Sequence, residues 1–290
     1  MNAISQSFDM IDWARLAEPQ ADQYDTDITL QLASSTTSAA RPQLYTRTPV
    51  GDAPAIFDGQ VAIRHAYRSW PEFELLLSQY HLLDAPTDHS NIGIAAEYVR
   101  SWPLGFQQCQ RLLDTIHPVL DRRIPLESPE VYRGSLCHSY EHMFGTMWAT
   151  IFCPIGLAEA IVHEMAHQKL RALGVSFESA TTIVGNDPSE LYVSPVIKER
   201  PRPMTAVLHA EYSYVYVTTL DTRMLVAEED PHRRAVLDHV LRTNLARIEE
   251  GNDTIRNHFR AGPYGPEFMA GFYEWIESTI SSARAALNAG

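Results

Sequence analysis

Apolar side chains recur three and four positions apart over long stretches of this 290-residue chain. Val236, Leu237, Val240, Leu241, Leu245 and Ile248 keep that spacing, which is one face of an α-helix. Asp230 stands before them as a side-chain cap, and Pro231 takes the first helical position, where its missing N–H is no loss. The same pattern predicts a helix over 92–102 stopped by Pro103, a further one to about residue 116, a long one opened by Pro203 and running to about Leu225, and a last over 267–287. The segment from Gln60 to Asp84 also reads as helical, interrupted near Pro71. Residues 155–173 are different. They are apolar on nearly every face, which predicts a buried helix, with Pro154 in its first turn and Gly174 as its left-handed cap.

Extended pieces are fewer. GTMWATIFC, residues 145–153, is rich in β-branched and aromatic residues and predicts a strand. DITLQLASS, 27–35, reads as a short strand, and LYVSPVI, 191–197, as a short extended piece. SSTTSAARP, 34–42, and KERPRP, 198–203, read as loops. There is no internal repeat. The expected fold is mainly α (α+β): a helical domain with a small central β-sheet. Residues 1–290 are expected to form a single integrated domain, with 1–140 a helical part that shapes substrate binding and 145–225 the core around the buried helix.

Composition narrows the function. With 45 % hydrophobic residues the chain can bury a large core without staples, and three cysteines, Cys109, Cys137 and Cys153, make no disulfide framework. The net charge of −13 argues against a nucleic-acid partner, because phosphate binding rests on Lys and Arg. The opening MNAISQSFDMIDWARL has no apolar signal-peptide core, and no run of about 18 apolar residues could span a membrane. A cytoplasmic protein with no membrane partner is the expectation.

The chemistry concentrates in the buried helix, in the stretch HEMAH. His163 and His167 are four apart and so share a helix face, which lets two imidazoles aim at one metal ion. Glu164 is rotated by about 100° and can reach a metal-bound water. The best third ligand downstream is His209, on a helix face with Tyr212 and Tyr216. Glu211, Asp221, His232 and His239 are the other candidates. His138 and His142 are also four apart, but Gly134 and Gly145 bracket them and a strand follows. Their spacing therefore carries no helical meaning, and their candidate role is to line a substrate cleft.

The order of motifs resembles a bacterial family defined by an HExxH motif and linked to modification of ribosomally made peptides. The resemblance lies in Ala158–Ala160, His163–Leu170, Ser194–Pro195, Arg202–Pro203 and Leu208–His209, and it is best over residues 145–220. It implies a zincin-like core, a protease framework reused for oxidation by Fe(II) and 2-oxoglutarate, and hydroxylation at a β-carbon of a precursor peptide or a small amino-acid-like substrate. His163, His167 and His209 would hold the iron. Arg202 is the first candidate to clamp the keto acid through two parallel hydrogen bonds, with Arg200 and Arg223 behind it and Tyr192, Ser194 and Tyr212 as hydroxyl donors. Trp148, His138 and His142 would face substrate. The competing reading is a zinc metallopeptidase with Glu164 as general base. A binding module with a closed structural zinc site would need a fourth protein ligand.

Overall fold

A computed structural model describes residues 10–37, 41–68, 70–124, 132–176, 182–194, 196, 198 and 200–289. Helices predominate: α1 (Trp13–Leu16), α2 (Tyr24–Ser35), α3 (Pro71–Gln79), α4 (Ser90–Arg100), α5 (Pro103–Leu112), α6 (Pro154–Ala172), α7 (Met204–Ala227), α8 (Pro231–His258) and α9 (Gly265–Asn288). The strands are short: β1 (Ala55–Ile56), β2 (Val61–Ile63), β3 (Leu82–Asp84), β4 (Thr115–Asp121), β5 (Cys137–His138), β6 (Thr146–Thr150), β7 (Leu191–Tyr192) and β8 (Arg202–Pro203). The fold is therefore mainly α with a small mixed sheet. Among the described residues no helix is long and apolar enough to cross a membrane.

The main sheet runs β1-β2-β4-β6-β5, with β3 also on β4. β4 lies parallel to β2 and β6, while β5 lies antiparallel to β6. Every residue of β4 and β6 is buried, as expected of parallel strands covered on both faces. The two-residue β5 is the edge of this sheet, and it borders the cleft described below. A separate hairpin, β7–β8, pairs Tyr192 with Arg202.

Three sequence expectations change here. Residues 27–35 belong to α2, not a strand. Asp25, Thr26, Thr29, Leu32 and Ala33 are buried at helical spacing, and Asp25 is held by the rest of the core. Residues 60–84 are not one broken helix: Pro71 opens α3 as its first residue, with β2 before it and β3 after. Pro103 both ends one helix and starts the next, at N1 of α5. That helix stops at Leu112, and β4 follows. The strand is hard to read because Pro118 sits inside it, which normally argues against a central strand. Pro118 is tolerated because it lies where β2, paired as far as Ile116, gives way to β3, paired from Val119. In the stretch 191–197, Pro195 and Ile197 lie outside the described residues, as do Glu199 of the 198–203 loop and residues 38–40 of the 34–42 loop.

α6 leaves the end of β6, begins at Pro154, and is buried on nearly every face. Gly156 lets the chain cross it closely: a Cβ there would lie 2.2 Å from the Arg133 carbonyl oxygen. Gly174, at φ +88, ends it in the left-handed region. A fully buried ion pair anchors the helix, Lys169 to Asp25 of α2, with Lys169 Nζ also donating to Tyr216 Oη of α7 at 3.1 Å and Gln108 of α5 donating to Asp25. α7 carries Tyr212 and Tyr216 into an aromatic layer with Phe272 and Trp275 of α9.

Candidate metal centre

His163, His167 and Arg171 fall one turn apart on the face of α6 that opens to a cleft of about 750 Å³. The Nε2 atoms of His163 and His167 are 3.0 Å apart, with the rings perpendicular. Two imidazole nitrogens bound to one ion at about 2.1 Å and a right angle would have about this separation. The helix thus presents the pair without rearrangement. Burial pushes the His163 imidazole below its ordinary range and His167 well below it, which keeps both rings as neutral lone-pair donors, the form a metal needs.

Glu164 joins them: its carboxylate and the donor atoms of His163 and His167 all lie within 4.8 Å of one another. It is 2 % exposed, and Ser139 Oγ donates to its Oε2 at 2.6 Å. Arg171 in turn donates to the carbonyl and hydroxyl oxygens of Ser139, at 2.8 and 2.9 Å. The carboxylate is therefore aimed by an Arg171–Ser139–Glu164 chain. Ser139 follows directly on β5, so the sheet edge and α6 fix the carboxylate between them.

His209 stands elsewhere. Its Nδ1 lies 3.1 Å from His167 Nδ1, on the opposite side of the His167 ring from His163, and its Nε2 donates to the Val175 carbonyl at 2.8 Å. One ring cannot turn both nitrogens to the same point, so the expected convergence of three histidines is not the geometry found. Burial pushes His209 down to about 3. The other proposed third ligands lie apart as well. His232 and His239 are exposed on α8. Asp221 bonds Asn244. Glu211 is buried with neither carboxylate oxygen hydrogen-bonded.

The cleft gathers some of the expected co-substrate and substrate residues and not others. Arg202, Arg200, Ser194 and His138 line it. Tyr192 is next to Arg202 through the hairpin, but its hydroxyl donates to Glu190 at 2.7 Å and accepts from Asn186. Tyr212 is fully buried and faces α9. Trp148 packs with Phe73 and Tyr67 in a separate apolar cluster, and exposed His142 lies edge-on against Trp70. Arg223 borders another cleft with Trp102 and Trp275. From residues 1–140, the described lining is Cys137 and His138 alone.

Sequence reasoning passed over Arg171, Ser139 and Tyr214, whose ring stands edge-on to His163 at 5.5 Å. Arg171 had a signal, its place four residues after His167. Ser139 had none, because only the sheet edge brings it to Glu164. Among the described residues, Arg200 and Arg202 make no ion pair with a carboxylate. The three cysteines are all free thiols; burial and the nearby Glu164 push the Cys137 thiol well above its ordinary value.

A second His/Asp group, His65, Asp84 and His117, also has its donor atoms within 4.8 Å of one another, but His117 is taken up in hydrogen bonds. His117 Nδ1 accepts from the Tyr67 N–H at 3.2 Å, so in the neutral ring the proton sits on Nε2, which donates to Asp84 at 2.8 Å. His65 Nε2 donates to the Ala85 carbonyl, and Arg68 completes Asp84.

Comparison with protein-family models and with curated proteins gives no match to this chain.

Proposed function

We propose that this chain is an Fe(II)- and 2-oxoglutarate-dependent oxygenase that hydroxylates a side-chain carbon of a peptide or amino-acid substrate. The observation that carries the reading is the cleft wall. Arg200 and Arg202 border the same cleft as the His163–His167 pair, in a chain of net charge −13. Two guanidiniums without described carboxylate partners suit an anionic co-substrate. The motif order of the HExxH peptide-modification family points the same way.

In this reading α6 is the metal-binding HExxH helix of a zincin-like core. Its donor set is His163, His167 and Glu164, the two-histidine, one-carboxylate type that leaves three positions open. Iron with the keto acid beside it supplies oxygen activation. Arg202 grips the distal carboxylate of the keto acid in a two-pronged bond, with Arg200 beside it. Ser194 Oγ accepts from the Val196 N–H at 3.3 Å, which leaves its own O–H to donate to the ligand. Ala206, Ala210 and Tyr214 give the α7 side of the cleft an apolar surface that limits water. His138, on the sheet edge, faces the substrate. A zinc peptidase is the second reading, favoured by one observation: Glu164 stands close enough to the histidine pair to serve as a general base toward a metal-bound water.

The test is anaerobic addition of Fe(II) and then 2-oxoglutarate, followed by visible absorption. A weak charge-transfer band is expected, absent in His163→Ala. In Arg202→Ala it should need about 10–100-fold more keto acid, the loss of about 1.5–3 kcal/mol of charged hydrogen bonding. Tight zinc binding with no such band, together with peptide cleavage abolished by Glu164→Gln, would put the peptidase in its place.

A further inference from the structure

We propose that His209 is a positioning residue that fixes the tautomer and ring orientation of His167, and that it is not a metal ligand. The proposal rests on the metal-centre reading above.

A carbonyl oxygen only accepts, so the 2.8 Å contact with Val175 places a proton on His209 Nε2. Neutral His209 then has a lone pair on Nδ1. The 3.1 Å contact between the two Nδ1 atoms needs one proton, and it must come from His167. His167 is thereby held as the Nδ1–H tautomer, with its Nε2 lone pair turned toward His163 Nε2. A metal-binding histidine characteristically donates its other ring N–H to an acceptor that sets its orientation. Here the acceptor is a second imidazole, fixed at its far end by the main chain. The supporting carbonyl is set by the fold: Gly174 ends α6 in the left-handed region, and the turn brings Val175 round to α7.

Two measurements test this on the full-length chain. In the 15N-labelled metal-free wild type, long-range proton–nitrogen spectra should show His167 protonated at Nδ1; protonation at Nε2 instead overturns the proposal. This readout needs no variant and so does not depend on a substitution folding. The second is cobalt(II) titration followed by visible absorption. His209→Ala should bind about 10–100-fold more weakly than wild type with unchanged band positions, since the ligands are the same. His209→Asn should recover most of the affinity, because its Oδ1 can accept from His167 Nδ1–H. Shifted bands in His209→Ala, or an unchanged affinity, overturn the positioning role. A wild type that takes up no cobalt overturns the metal reading and this proposal with it, and the wild-type titration tells that failure from the others.

Discussion

Glu211 lies in the middle of α7 with its side chain fully buried and both carboxylate oxygens without a hydrogen bond. Burial raises its pKa well above the ordinary carboxylate range, so the folded chain favours the protonated form. The contribution of such a group to stability is fully present below the unfolded value of about 4.3 and is lost as pH rises through the folded one. Glu211→Met, of similar length and without the polar atoms, should therefore stabilise the protein at pH 8 by about 1–3 kcal/mol, and the gain should shrink toward pH 4. Thermal unfolding of both proteins at pH 4, 6 and 8 checks this; a gain that does not vary with pH would mean that the carboxyl is not the cause. Sequence alone made Glu211 a spare ligand. Its isolation could not be read there, because helical spacing does not say which neighbour covers a face.

At the scale of elements, α6 is held in place by its polar residues as much as by its apolar ones. Lys169, two residues beyond the histidine pair, reaches Asp25 on α2 and Tyr216 on α7 with no exposure to water. Removing one partner of a buried ion pair strands the other. Lys169→Met should cost about 3–5 kcal/mol, and adding Asp25→Leu to it should recover much of that loss. Urea unfolding of the two single variants and the double decides; simple additivity would show that the pair does not couple. The helix itself was legible, since Pro154, Gly174 and apolar residues on nearly every face mark its ends and its burial. The α2 helix was not legible. Its face buries Asp25, Thr26 and Thr29, which are polar, so the period that identifies a helix is missing from the sequence.

For the whole molecule, the candidate centre ties together parts far apart in the chain: α6, the sheet edge at β5 and Ser139, and the β7–β8 hairpin. A ligand bound only by the folded form stabilises by mass action, by about 2.7 kcal/mol at a hundred times its dissociation constant. Zinc or cobalt at that excess should raise the unfolding temperature by several degrees, and chelator should reverse it. His163→Ala should abolish the shift. Scanning calorimetry with and without metal is the measurement, and an equal shift in the variant would place the metal elsewhere.

The sequence by itself determined the mainly helical class, the strand entering the buried helix, both ends of that helix, and the pairing of His163 with His167, because all of these follow from local periods, caps and turn residues. The tertiary structure alone decided what surrounds them. It placed Ser139 and Arg171 behind Glu164, put Arg202 and Ser194 in the cleft wall, and left Tyr212 and Trp148 out of that wall. It also set His209 against the far nitrogen of His167. These outcomes depend on which faces meet after the chain has closed on itself, and no local spacing encodes that.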